Sequence, residues 1–181
     1  MKKLPVYVKY PLVLGCVCLV CGGALAGVNA ATEGKISQNA YDKAHAAMYK
    51  LIDTNNLKTT GDPSVIEWDE GVEHTYLDER NLIPTDSGNY YYYNATSPKG
   101  FSGTITFGAL VDPSYSVIGF KFITGDEDTI GKSAAGAIDI SASKPFTDSD
   151  GVVESGASAG KTLPAITTAL KAVIADARTI K

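Results

Sequence analysis

The sequence predicts an α+β protein: one N-terminal transmembrane helix, then a single exported domain with an antiparallel sheet and flanking helices. Three observations carry this. Pro11 to Val28 reads PLVLGCVCLVCGGALAGV, apolar apart from its glycines. Residues 104–111 and 116–123 are β-rich runs joined by Asp112-Pro113-Ser114-Tyr115, a turn with proline where its fixed φ helps. After Leu163, apolar residues recur at helical spacing.

The first element follows from length and charge. Its 18 residues approach the roughly 20 that cross a bilayer core. Lys2, Lys3 and Lys9 precede it, and no charged residue occurs between Lys9 and Glu33. Basic residues on that side predict a cytoplasmic N-terminus and an extracytoplasmic C-terminal domain in a single-pass cell-membrane topology. A cleaved signal peptide is the competing reading, because Val28-Asn29-Ala30 fits a small-x-small cleavage pattern. Gly23 and Gly27 have the spacing that lets a span pack against another helix. Cys16, Cys18 and Cys21, the only cysteines, read as small apolar residues of the span.

Removing the three leading lysines leaves 13 basic against 20 acidic residues in the rest of the 181-residue chain. That balance excludes a basic nucleic-acid face. The absence of cysteine after residue 32 excludes a disulfide, a thiolate metal site, an iron–sulfur cluster and a cysteine nucleophile there. The organisation expected is 1–32 for the lysines and anchor, 33–60 for a helical stalk and 61–181 for the domain.

Within the stalk, Ser37 can cap a helix whose apolar face is Ala40, Tyr41, Ala44, Ala47, Met48, Leu51 and Ile52, ending near Asn55 and continuing from the anchor. Residues 53–63 form a polar loop. Residues 67–79 are rich in acids (Glu67, Asp69, Glu70, Glu73, Asp78, Glu79) around His74 and read as a solvated face, with no spacing of a metal motif. Tyr90 to Tyr93 reads as a strand with alternate rings buried. Residues 125–136 read as a Gly/Asp/Ser-rich loop. The last helix starts near Leu163, with Pro164 in its first turn and Ala165, Ile166, Ala169, Leu170, Val173, Ile174 and Ala177 on its apolar face.

Ser155-Gly-Ala-Ser-Ala-Gly-Lys-Thr162 lies immediately before that helix. Small residues let backbone approach a ligand, and a helix N-terminus offers free N–H groups and the positive end of its dipole, which favour phosphate. The bland reading is a small-residue linker into a helix capped by Thr162. A P-loop is a second reading: Gly160-Lys161-Thr162 matches its end, but Ser155 stands where the first glycine belongs and no parallel-strand run feeds the loop.

Ser155-Gly156-Ala157-Ser158 resembles the Ser/Thr-Gly-Ala-Thr/Ser signature of the FMN-binding domain family, which occurs in the Rnf electron-transport complex and in the sodium-translocating NADH:quinone reductase. The layout of one N-terminal span and an exported domain is similar to the family's. So are Gly103-Thr-Ile-Thr-Phe, Val111-Asp-Pro and Val117-Ile-Gly-Phe-Lys-Phe, which resemble its central hairpin. Gly125-Asp-Glu-Asp-Thr-Ile-Gly131 sits where the family carries a His-x-Glu-Thr-Pro-Gly-Leu-Gly loop. The resemblance covers the anchor and residues 100–181. It implies FMN esterified through its phosphate to Ser158, with Thr162 the second choice. Ser155, Gly156, Ala157, Lys161, Thr162, Thr129 and Gly131 would line the cofactor site. It further implies electron transfer within a membrane redox complex, other membrane proteins of that complex as partners, and no metal, general base or nucleophile in the domain. Two departures favour the alternative of a same-fold domain that has lost FMN and serves binding or assembly. Val152 replaces an aspartate of the family's modification motif, and Asp126 and Ile130 replace the loop's histidine and proline.

Overall fold

The computed structural model describes residues 6–68 and 74–180. The leading lysines Lys2 and Lys3, and the acids Asp69, Glu70 and Glu73, lie outside the described residues. The chain separates into two compact units, Met1–Asp42 and Lys43–Lys181.

Helix α1, Val6–Thr54, runs 49 residues without interruption. It passes through position 37, so the helix start expected at Ser37 is absent; nothing in 29–40 breaks a helix strongly enough to end it. Leu14–Thr32 has mean hydropathy 1.9 over 19 residues, long and apolar enough to cross a membrane. A signal sequence near the N-terminus meets the same criterion. Leu19, Val20 and Leu25 each expose more than two thirds of their surface.

In the second unit the α+β class holds. Strands β1 (Ser64–Val65), β2 (Leu77–Thr85), β3 (Gly88–Thr96), β4 (Ile105–Val111) and β5 (Val117–Gly125) form one antiparallel sheet in sequence order. The β4–β5 hairpin falls where the sequence predicts it. Its turn is closed by Tyr115 N–H to Asp112 O at 2.9 Å, and Asp112 Oδ1 accepts from Ser114 and Ser116 N–H. Helices α2 (Thr129–Gly136) and α3 (Thr162–Ala177) complete the described elements.

Both faces of the sheet are covered. The end of α1 packs Met48 and Leu51 on Ile83, Tyr92, Leu110 and Ile118. On the other face Tyr91, Tyr93, Phe107, Ala109 and Val111 meet Ile166, Leu170, Val173 and Ile174 of α3. All seven apolar-face positions expected of α3 are buried. Two expectations change. Tyr91, Tyr92 and Tyr93 are buried consecutively, because a sheet covered on two sides hides odd and even positions alike. Gly108 makes room for the Tyr92 ring, whose hydroxyl donates to Ala44 O at 2.9 Å. And residues 129–136 are a helix, not loop: Asp128 caps it by accepting Gly131 N–H at 2.7 Å, while Ala134 and Ala135 are buried.

A buried polar cluster ties α3 to β2 and β3. Asp176 accepts from Arg80 Nη1 at 3.1 Å and from the Tyr93 hydroxyl at 2.7 Å, and His74 Nδ1 lies 3.2 Å away. Arg80 also donates to Ile66 O and Glu67 O and stacks over Trp68. Strand β2 is absent from the sequence-based expectation, because Asp78, Glu79, Arg80, Asn81 and Pro84 mask its period. Arg80 and Asn81 are nonetheless buried, their polar groups satisfied by this cluster and by Glu79 Oε1.

Candidate functional site

The sheet sets the site by placing two helix starts side by side. Helix α2 begins just after β5, and α3 begins after the long irregular return through residues 137–161. Between their first turns lies a cleft of about 270 Å³, walled by Phe101, Asp128, Ile130 and Gly131 on one side and by residues 158–162 on the other.

Its foundation is Glu127, 2% exposed. Its Oε1 accepts Ser102 N–H at 2.7 Å and the Ser102 hydroxyl at 3.0 Å; its Oε2 accepts Phe101 N–H at 3.1 Å and Gly103 N–H at 3.4 Å. Burial alone would raise this carboxyl. The hydrogen bonds from Ser102, Gly103 and Asp128 outweigh it and hold the pKa below the ordinary value. Two glycines permit the approach. A Cβ at Gly100 would overlap Glu127 Oε2 and sit 3.1 Å from Thr162 Cα; one at Gly131 would overlap Glu127 Cγ and sit 3.0 Å from Thr162 Oγ1. The carboxylate thus fixes the loop that carries Phe101 against both helix starts.

The α3 side of the cleft is open to an anion. The cap residue Lys161 makes no side-chain capping bond, and Pro164 contributes no N–H to the first turn. Among the described residues, no acceptor takes the backbone N–H of Gly160, Lys161 or Thr162. Ser158 is exposed, and the buried Thr162 turns its hydroxyl to no described hydrogen-bond partner. Lys161 Nζ lies over the Phe101 ring at 5.8 Å. Phe101 and Ile130, 66% and 61% exposed, form an apolar rim. The one acid lining the cleft, Asp128, has an oxygen committed to Gly131 N–H.

Of the residues singled out from sequence, Ser158, Lys161, Thr162 and Gly131 line this cleft. Ser155, Gly156 and Ala157 do not. The Ser155 hydroxyl donates to Ala134 O at 2.6 Å and accepts Ala157 N–H at 3.3 Å, and Gly156 N–H reaches Ala137 O at 3.5 Å. This half of the run stitches the return segment to the end of α2. Thr129 is exposed at the start of α2 and is not among the lining residues. Sequence reasoning misses Glu127, Phe101 and Asp128; the signal for Glu127 is an acid held between Gly125 and Gly131, two glycines with steric reasons to be there.

The P-loop reading loses its context. The sheet is antiparallel throughout, and residues 150–160 contribute only an isolated bridge, Ser155 to Ile138. Nearby acids are engaged elsewhere, Glu154 with Lys144 at 2.8 Å and Asp148 with Arg178 at 3.0 Å.

No protein-family model matches the chain, and no curated protein matches it.

Proposed function

We propose that this protein is a membrane-anchored, extracytoplasmic flavoprotein of the FMN-binding domain type, carrying electrons within a membrane redox complex of the Rnf or sodium-translocating quinone reductase kind. The observation that supports this reading best is that Ser158, the last residue of the Ser155–Ser158 run that resembles the family signature, shares one cleft with Asp128, Ile130 and Gly131 of segment 125–131, which sits where the family carries its loop; 26 residues separate Gly131 from Ser158.

The residues present fit the phosphate end of FMN. The free N–H groups before α3, the dipole of that helix and the Lys161 ammonium favour a dianion. The exposed Ser158 hydroxyl would supply the oxygen for a phosphoester, with the buried Thr162 hydroxyl the second-choice acceptor. Phe101 and Ile130 offer apolar contact to a flat ring. A cleft of about 270 Å³ is at the small end of ligand pockets, about 300–1,000 Å³, so much of the flavin would face outward toward a redox partner. When bound, FMN supplies the electron-transfer chemistry, and the protein supplies position and environment.

The test is expression of the full chain with a flavin-attaching enzyme, then flavin fluorescence in a denaturing gel. Fluorescence that survives Thr162→Ala and disappears in Ser158→Ala is the expected result. A colourless chain that also takes up no added FMN refutes the reading. Val152, 53% exposed where the family's modification motif carries aspartate, favours a second outcome. There the same fold holds FMN only reversibly, or has lost it and serves binding or assembly. Flavin that washes out, or none, distinguishes these.

A further inference from the structure

A second surface, independent of the flavin cleft, lies along the outer edge of β5. Between that edge and the last turns of α1 runs a groove in two contiguous stretches of about 510 and 280 Å³, sharing Lys50 and Lys121. Leu51 and Ile118 give it an apolar floor; Phe120 and Phe122 border it from β5 while packing on the α3-side core, and Ile140 to Ser143 of the return segment also line the larger stretch. Lys43, Lys50 and Lys121 stand over it, and no Asp or Glu lines either stretch. None of these lysines forms an ion pair among the described residues. In a segment with 20 acids to 13 bases, three such lysines on one groove are a local reversal of sign.

The edge itself is open. Strand β5 ends the sheet, and Val117 alone is paired outward, exchanging hydrogen bonds with Phe146 at 2.9 Å in both directions. Among the described residues, nothing pairs with the outer edge from Ile118 to Ile123. Those six residues span about 20 Å of strand, and α1 from Lys43 to its end at Thr54 rises about 17 Å alongside. Lys43 and Lys50 are seven residues apart, so they share one face of α1.

We infer that this groove docks an extended acidic segment of a partner protein, which adds to β5 as a sixth strand and sets its carboxylates against Lys43, Lys50 and Lys121. Main-chain pairing supplies the affinity, and the lysines supply sign and register. A second copy of this chain is the wrong occupant. Pairing β5 with β5 would set each edge's lysines against the other's.

The experiment uses the full chain in detergent micelles and a fluorescein-labelled probe, acetyl-(Val-Glu)3-amide, with acetyl-(Val-Lys)3-amide as its counterpart. Saturable anisotropy change for the acidic probe, weakened by salt, is expected. Amide exchange should slow at alternate positions of 118–123. Lys50→Glu with Lys121→Glu should weaken binding about tenfold or more, with unchanged circular dichroism. Equal binding of the lysine probe overturns the proposal. So does no binding at about 1 mM, near the weakest affinity of interest, in which case the lysines only guard the edge against aggregation. Lysine-dependent capture by phosphatidylglycerol vesicles without peptide binding overturns it as well, in favour of lipid headgroups.

Discussion

Glu127→Gln is the sharpest probe of how the cleft is built. Glutamine preserves shape but retains one acceptor oxygen. With that oxygen in the Oε1 place, the bonds from Ser102 at 2.7 and 3.0 Å survive. The new NH2 then faces the N–H groups of Phe101 at 3.1 Å and Gly103 at 3.4 Å. Flipping the amide is worse, because it sets NH2 against the short Ser102 contact. Two charge-assisted bonds at about 1.5–3 kcal/mol each, one of them long, give an expected loss of about 2–4 kcal/mol.

The pH dependence provides the second check. Folding holds this carboxyl below its ordinary value of 4.5. Its stabilisation is therefore fully present above that value and is lost as pH falls through the lower folded value. The gap between wild type and Glu127→Gln should be full at pH 7 and shrink below about pH 4. Urea titration of the full chain in detergent, read from the single tryptophan, Trp68, measures both. A loss under about 0.5 kcal/mol at pH 7, within the range of ordinary surface changes, would refute the account of Glu127 as the anchor of the Phe101 loop. So would a loss that does not change between pH 7 and pH 3.5.

Four further outcomes are expected. Asp176→Asn strands the buried Arg80 and should cost about 3–5 kcal/mol by denaturant titration. Tyr93→Phe removes only the hydroxyl that donates to Asp176 at 2.7 Å and should cost about 1–2 kcal/mol. Burial first and Asp176 second hold that phenol well above its ordinary pKa, so in an ultraviolet alkaline titration Tyr93 should ionise only on unfolding. Gly131→Ala drives a methyl into Glu127 Cγ and should cost about 1–3 kcal/mol, seen as a lower urea midpoint.

The elements legible in the sequence are those whose burial is one-sided or locally signalled. Helix α3 shows its stripe because one face meets the sheet, and the β4–β5 hairpin is announced by Asp112-Pro113. Each element that the sequence hides has an identifiable cause. Strand β2 buries Arg80 and Asn81, which read as surface residues until Asp176 and Glu79 supply their partners. Helix α2 spans 8 residues of small, weakly periodic composition, and only Asp128 marks its start. The Ser155–Thr162 run stands out as one segment, but its two halves differ in role. Ser155 is consumed in holding the backbone of α2, whereas Ser158 through Thr162 face the cleft. Spacing in a sequence does not separate a serine that braces a loop from one that faces a ligand.

At the proposed cofactor site, the shape of the cleft depends on buried groups, Glu127 with Gly100, Gly131 and Thr162 packed around it. The groups that would meet a ligand, Ser158, Lys161, Phe101 and Ile130, are exposed and make few bonds of their own. Shape and chemistry are therefore separable by mutation. Ser158→Ala removes an exposed hydroxyl with no described hydrogen bond, so its effect on stability should stay within about 0.5 kcal/mol, while the proposed reading expects covalent flavin to be lost. Glu127→Gln should lower both stability and flavin attachment, because it loosens the wall on which a ring would rest. If Ser158→Ala instead destabilised the chain as much as Glu127→Gln, the serine would be a structural part of the return segment, like Ser155. On the proposed flavin reading, the ester oxygen would then fall to Thr162.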